Sequence, residues 1–293
     1  MTTLLHSLIR CYCSHIPIEF GKGRLQKIGR KYLYGKTLEV STRHCGIKVE
    51  ITLPEDAGRE VIFYRRTYET GTTEAFAHLL RPNDVFFDIG ANIGWYSLLA
   101  SKLASEGEVH AFEPLPFIFN KLIRNWKING FQNKVYFNNI ALGDNEDSEA
   151  TMYTFQGLYH SHSSLSTFDR SDYKAVTVPM TTLDQYITDN DIQRIDLIKM
   201  DTEGAELDIL KGGVELLKRN VPPILVIELN TKTSASFGHT PTDVLDLLLL
   251  HNDYRFYRIN RAWGKLKPMA STGDYRNGDN AICVPVQREH IRL

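Results

Sequence analysis

"DVFFDIGANIGWYSLLA" (residues 84–100) opens on a polar break, passes through a short apolar run, meets two glycines four apart and resumes with helix-like spacing. A buried strand that turns through glycines into a helix leaves free backbone N–H groups and the positive end of a helix at the bend, where an anion or a nucleotide can sit. A dinucleotide fold calls for Gly-x-Gly-x-x-Gly, so that the backbone can press against a pyrophosphate. Here Gly90-Ala-Asn-Ile-Gly94 lacks the middle glycine. A nucleoside ligand without a pyrophosphate needs less backbone intimacy and more polar side chains around a small carboxylate and a cation, which Asp88 and Asn92 supply. The plain alternative is a tight strand-to-helix turn with no ligand.

Outward from this stretch, short apolar runs alternate with helix-period segments, the pattern of βαβ units and a mostly parallel sheet. "VFFDIG" is the first core strand, followed by a helix from about Gly94 to Ala104. "EVHAFEP" is the second, and "KVYFNNIAL" the third. The rhythm then breaks over about 148–182, where "EATMYTF" and "AVTVPMTTL" read as antiparallel strands flanking the polar loop "QGLYHSHSSLSTFDRSDYK". It resumes with "RIDLIKMD", a helix over "AELDILKGGVELLKRN" with Leu207, Leu210, Val214 and Leu217 on one face, and the strand "PPILVIELN". "HTPTDVLDLLLLHND" carries a capping box, with Thr240 as N-cap, Pro241 at the first helical position and Asp243 reaching back. "YRFYRIN" and "NAICVPV" have no helix between them, so they form an antiparallel hairpin at the sheet edge. Before Asp84, "KTLEVSTRHCGIKVEITL" alternates as a small β element and "TTEAFAHLLRP" is a short helix ended by Pro82. Two regions result: a small N-terminal α/β extension, residues 1–60, and an α/β domain, residues 61–293.

With 293 residues, 42% hydrophobic and 24% charged, the composition is that of a globular protein with a sizeable core. A net charge of −1 gives no general field for nucleic acid. Residues 1–53 nevertheless hold nine Lys or Arg against Glu19, Glu39 and Glu50, a local +6. That is a solvated basic lobe or an attraction to an anionic partner such as a membrane surface. Cys11, Cys13, Cys45 and Cys283 show no CxxC pair, so they read as reduced thiols in a cytoplasmic protein.

The residues that carry chemistry follow from the strand ends. Glu113 ends the second strand 19 residues beyond Gly94, placed to accept both hydrogen bonds of a ribose diol. Ala141 and Leu142, small and apolar, can flank a flat base. "KMDTEGAE" puts Lys199, Asp201, Glu203 and Glu206 around the end of the central fourth strand, where active sites of open α/β sheets lie. Glu203 and Glu206 also suit a first helical turn, and Lys199 can simply snorkel. Asp201 has the weakest structural excuse. It is the candidate to orient or deprotonate an acceptor. His160, His162 and His239 lie in loops on the same side and are further candidates, although loop histidines are more often surface residues. Asp201, Glu228 and Asn230 also make three oxygen donors of the kind Mg²⁺ accepts, a divalent metal site that is considered but not favoured.

Taken together, "YETGTTE" (68–74), "DVFFDIGANIGWYS", "VHAFEP", "ALGD", "SSL" (163–165), "TTLDQYI", "IDLIKMDTEGAELDILKGG" (195–213) and "VIELN" resemble the S-adenosylmethionine-dependent methyltransferases of the Rossmann-like class, and within them the FkbM family. The resemblance covers roughly residues 61–260. It implies a doubly wound, seven-stranded, mostly parallel sheet whose last strand is antiparallel. It also implies S-adenosylmethionine as cofactor, with Asp88, Gly90 and Gly94 lining the methionine moiety, Glu113 holding the ribose, Ala141 and Leu142 bordering adenine, and Glu69 and Thr72 closing over it. The expected activity is O-methylation of a hydroxyl on a sugar, glycolipid or secondary metabolite. The alternatives are an NAD(P)-dependent oxidoreductase on the same fold and a non-catalytic scaffold. Nucleic acid is not an expected partner, because the fourth strand ends in acid and no stretch suits a flipped base.

Overall fold

The structure is a computed structural model that describes residues 8–13, 21–43, 45–53, 56, 59–145, 149–155, 173–261 and 263–288. The loop carrying His160 and His162 lies outside the described residues, as does "SSL" at 163–165.

The core is a sheet built from β3 (Val85–Ile89), β4 (Glu108–Phe112), β5 (Lys134–Asn138), β9 (Leu197–Met200), β10 (Ile224–Leu229), β11 (Tyr254–Ile259), β12 (Leu266–Pro268) and β13 (Asp279–Pro285). Its order is β12-β11-β13-β10-β9-β3-β4-β5. Strands β5, β4, β3, β9 and β10 run parallel, and β13 is antiparallel to both its neighbours. This is the expected doubly wound sheet with an antiparallel last strand. The antiparallel pairing of the two final long strands forms as expected, with β13 inserted between β10 and β11, and one detail differs from the sequence reading: the short strand β12 adds an eighth member at that edge.

The helices α4 (Trp95–Leu103) and α5 (Pro116–Lys127) connect β3 to β4 and β4 to β5, and the chain then crosses back to lay β9 on the other side of β3. The strand order therefore reverses between β3 and β9. Residues just past the C-terminal ends of these strands look into the crevice that such a reversal opens.

The third expected strand splits. Ala141–Gly143 forms β6, which leaves the core sheet and pairs in parallel with β8 (Tyr173–Thr182), itself antiparallel to β7 (Glu149–Phe155). The helix expected over residues 205–220 also breaks, into α7 (Glu206–Lys211) and α8 (Val214–Leu217). A Cβ on Gly212 would lie 2.0 Å from the Gly143 carbonyl oxygen and one on Gly213 2.9 Å from Leu183 Cδ2, so the break is where helix and small sheet touch. Asp184, from α6 (Leu183–Asp189), restarts the helix by accepting from the N–H groups of Glu215 and Leu216 at 2.8 and 3.0 Å. The capping box of α10 (Pro241–His251) forms as the sequence implies.

The N-terminal residues contribute α1 (Lys22–Leu33), the antiparallel pair β1 (Thr37–Ser41) and β2 (Lys48–Thr52), and α2 (Glu60–Arg65), leading into α3 (Thr70–Leu79). Val40, Ile47, Val49 and Ile51 are fully buried in the same apolar cluster as Phe86, Leu98 and Val109 of the core. None of the helices among the described residues is long and apolar enough to cross a membrane.

Candidate active site

The bend after β3 is forced by its neighbours. Gly90 has φ +79°, and a Cβ there would sit 2.0 Å from the Asp201 carbonyl oxygen, so the ends of β3 and β9 can meet only through glycine. The Asp201 N–H donates to the Ile89 carbonyl at 3.1 Å and locks the two ends together. Gly94, φ +98°, precedes α4, where a Cβ would meet Leu122 of α5 at 2.5 Å. Gly94 thus sets helix packing and does not line the hollow described next.

A hollow of about 170 Å³ opens at the reversal point, lined by Glu69, Gly90, Asn92, Glu113, Ala141, Leu142, Asp201 and Glu228 among others. One wall is apolar, made by Phe112, Ile118, Ile140, Leu142 and Met152. The hollow's charged lining is Arg59, Glu69, Glu113, Asp201, Glu203 and Glu228, of which Asp201 and Glu228 come from the ends of β9 and β10, across β3 from Glu113. A smaller hollow shares Arg59, Tyr68, Gly90, Asn92 and Asp201 with the first and is lined besides by Asp88, Tyr96 and Lys199. Glu69, Asn92 and Glu203 hold φ of 40°, 52° and 56°. Such non-glycine left-handed residues cost about 1–3 kcal/mol each and gather where a site is being shaped.

Glu113 is 5% exposed, and each of its oxygens already accepts a backbone N–H, from Asn92 (3.0 Å) and Leu115 (3.0 Å). Burial nevertheless pushes its carboxyl up to about 7. Asp88 is 2% exposed, accepts the Ser97 hydroxyl at 2.5 Å, and is raised by burial to about 6. Its side chain reaches the smaller hollow and not the larger. Thr72 lines neither; it is buried against Asn280, 3.3 Å from its amide nitrogen. Glu69 accepts from the Tyr96 hydroxyl (2.7 Å) and from Asn280 (3.4 Å).

In β9, Lys199 does not snorkel. It is fully buried, its ammonium 3.6 Å from Asp201 Oδ2 and 5.3 Å from the Tyr96 ring centre, and it donates to the Met200 carbonyl at 3.3 Å. The parallel pairing of Met200 with Ile227 brings the ends of β9 and β10 side by side, so the Asp201 and Glu228 carboxyls stand close enough to titrate as a pair. Lys199 and Arg59 hold the Asp201 carboxyl low despite its burial. The Asp201 charge, chiefly, with burial, drives the Glu228 carboxyl well above the usual carboxylate range, so the pair resists losing both protons. Asn230 is engaged elsewhere, because its amide oxygen accepts the Lys232 N–H at 3.1 Å and caps α9 (Thr231–Ala235). Among the described residues no group of three or more His, Cys, Asp or Glu is arranged to hold a metal. Glu206 accepts from Thr202 and Gly204 and shapes the loop after β9, and His239 holds the same loop with Nε2 2.9 Å from the Gly204 carbonyl.

Two wall residues escaped the sequence reading. Arg59 and Tyr68 bound both hollows, and neither sits at a strand end or in a glycine-rich bend. The alternation of β1 and β2 and the apolar face of α2 signal only packing, so no sequence signal singles out Arg59.

The model of the methyltransferase FkbM domain matches residues 88–256. Among curated relatives, the AMB antimetabolite synthetase AmbE of Pseudomonas aeruginosa is 27% identical over 59% of this chain, which spans 10% of that much longer protein. The hexuronic acid methyltransferase AglP of Haloferax volcanii is 26% identical over 57% of this chain and 62% of its own length. The 2-O-methyltransferase NoeI of Sinorhizobium fredii is 27% identical over 48% of this chain and 62% of its own length. The chain thus spans about six-tenths of the length of these two relatives and a small part of AmbE. With a glycine-lined bend at the reversal point of a doubly wound sheet, and the domain model matching more than half of its residues, the chain belongs to the FkbM family of methyltransferases.

Proposed function

We propose that the chain is an S-adenosylmethionine-dependent O-methyltransferase acting on a hydroxyl of a sugar or another small polyhydroxylated acceptor. One observation carries the reading: a single hollow is lined by apolar side chains, by the buried carboxyl of Glu113 past β4 and by a second carboxyl, Asp201, past β9 on the other side of β3. The residues present suit the cofactor. Glu113 has spent one lone pair of each oxygen on backbone N–H groups and keeps the others for the two hydroxyls of a ribose. Phe112, Ile140, Leu142 and Met152 pack against a flat base. Bound there, the cofactor supplies an electrophilic methyl group carried on a sulfonium.

The remaining work is done by the chain. Holding two reactants in line is worth up to ~7–11 kcal/mol in well-oriented systems. Asp201, held by Lys199 and flanked by the raised Glu228 carboxyl, accepts a hydrogen bond from the acceptor hydroxyl, and then its proton. Because Lys199 and Arg59 already neutralise much of the acidic charge around Asp201, the reading needs no divalent cation. The hydroxyl preference is supported by relatives whose names specify a hexuronic acid and a 2-O position. We place its work in the cytoplasm, with the local +6 of residues 1–53 favouring an anionic membrane surface.

The test is transfer of a tritiated methyl group from S-adenosylmethionine into pooled cell-extract fractions, with and without chelator. Asp201→Asn is expected to lower turnover by roughly 100- to 10,000-fold, while S-adenosylhomocysteine still binds. Undiminished transfer by this variant, or no transfer by the wild type into any fraction, refutes the assignment.

A further inference from the structure

We infer that Arg59 is the anchor for the α-carboxylate of the cofactor's amino-acid end, with Glu69 receiving the adjacent ammonium. The inference rests on the methyltransferase reading above and deepens it. It gives the N-terminal stretch, which precedes the matched residues 88–256, a part in cofactor binding.

The placement comes from three observations. Arg59 and Tyr68 line both hollows together with Gly90, Asn92 and Asp201, and the smaller of these, which Asp88 also lines, has neither Ala141 nor Leu142 in its wall, so Arg59 belongs with the glycine bend. If the base packs on the apolar wall and the ribose meets Glu113, an extended adenosyl amino acid brings its charged end here. The guanidinium is also rigid. It lies over the Tyr68 ring, 4.6 Å from its centre, and donates to the Tyr68 hydroxyl. Tyr68 in turn packs edge-on against Trp95 at 5.8 Å, and the Trp95 indole N–H donates to Thr73 at 2.9 Å. The bond to Tyr68 uses one of five guanidinium N–H donors, leaving a planar fork suited to a carboxylate.

Charge pairing is the third observation. Glu69 lines the same hollow, and its Oε2 is held by Tyr96 and Asn280. A cation and an anion that line the same hollow and feel each other's charge complement the zwitterion of an α-amino acid. An acceptor hydroxyl needs neither. The Asp201–Glu228–Lys199 group lies nearby and stays available to the acceptor.

Calorimetric titration with two ligands isolates this role: S-adenosylhomocysteine, and 5′-methylthioadenosine, which keeps the adenosyl thioether but has no amino-acid end. Arg59→Gln is expected to weaken S-adenosylhomocysteine by roughly 10- to 100-fold and to leave 5′-methylthioadenosine within about twofold. Should Arg59→Gln fail to fold by circular dichroism, Arg59→Lys decides: it keeps the charge, loses the planar fork, and should weaken only S-adenosylhomocysteine. Equal weakening of both ligands would make Arg59 merely structural, and unchanged affinities with a raised KM for the acceptor would assign it to the acceptor. Either overturns the inference while leaving the methyltransferase reading intact. Failure of the wild type to bind S-adenosylhomocysteine overturns both.

Discussion

Burial decides what Glu113 does. Moving a carboxyl from 4.5 to about 7 corresponds to roughly 3 kcal/mol against the ionised form. Because the folded value is raised, the stability tied to the protonated form is full below about pH 4.5 and is lost as pH climbs through about 7. Asp88, raised to about 6, adds in the same direction. The free protein is therefore expected to melt at progressively lower temperature from pH 5 to pH 7, and Glu113→Gln should flatten that slope. On the proposed reading a ribose diol donates to the carboxylate, so S-adenosylhomocysteine is expected to draw the Glu113 value down and expel protons near pH 7. Titration in two buffers of different ionisation heat should reveal that release, and Glu113→Gln should abolish it. A pH-independent affinity with no proton exchange would remove Glu113 from the ribose.

At the scale of elements, the meeting of β3 and β9 governs whether a site exists. Gly90→Ala places a Cβ against the Asp201 carbonyl at a positive φ, and the ends of both strands must part to admit it. The expected cost is roughly 2–4 kcal/mol, read as a lower urea midpoint, together with loss of S-adenosylhomocysteine binding; a variant of unchanged stability would show that the contact is loose. The elements around this junction were legible in the sequence. Strand, glycine bend and helix are local patterns, and the residues at strand ends, Glu113 and Asp201, inherit their positions from them. What stayed hidden depends on partners far along the chain. The break between α7 and α8 follows from Gly212 pressing on Gly143 and from a cap supplied by Asp184, whereas the spacing of Leu207, Leu210, Val214 and Leu217 alone describes one continuous helix. Likewise Asn138 and Ala141 look like one strand until the pairing of β6 with β8 draws them apart. Arg59 had no pattern to betray it, since its place in the hollow depends on how the N-terminal strands seat.

Across the whole molecule, that seating runs through Asn125 of α5, which is 1% exposed. Its amide oxygen accepts the Glu50 N–H of β2 at 2.7 Å, and its amide nitrogen donates to the Ile93 carbonyl in the glycine bend at 2.8 Å. One side chain thus joins the N-terminal hairpin, the bend and the helix behind it. A second tie is the buried pair Lys121–Asp56 at 2.8 Å, whose Asp56 also accepts the Thr52 N–H. Asn125→Ala strands a backbone donor and a backbone acceptor away from water, at a cost of about 1–3 kcal/mol for each group left unpaired. If the hairpin and the sheet form one cooperative unit, the variant should melt several degrees lower in a single transition, with tryptophan fluorescence and circular dichroism changing together. The free energy gained from saturating S-adenosylhomocysteine should also shrink, because the Ile93 carbonyl belongs to the bend that carries Asn92 toward Glu113. Two separated transitions, with ligand affecting only the later one, would instead mean that residues before β3 rest on the sheet without shaping the site, and Arg59 could then not be held where the cofactor's amino-acid end requires it.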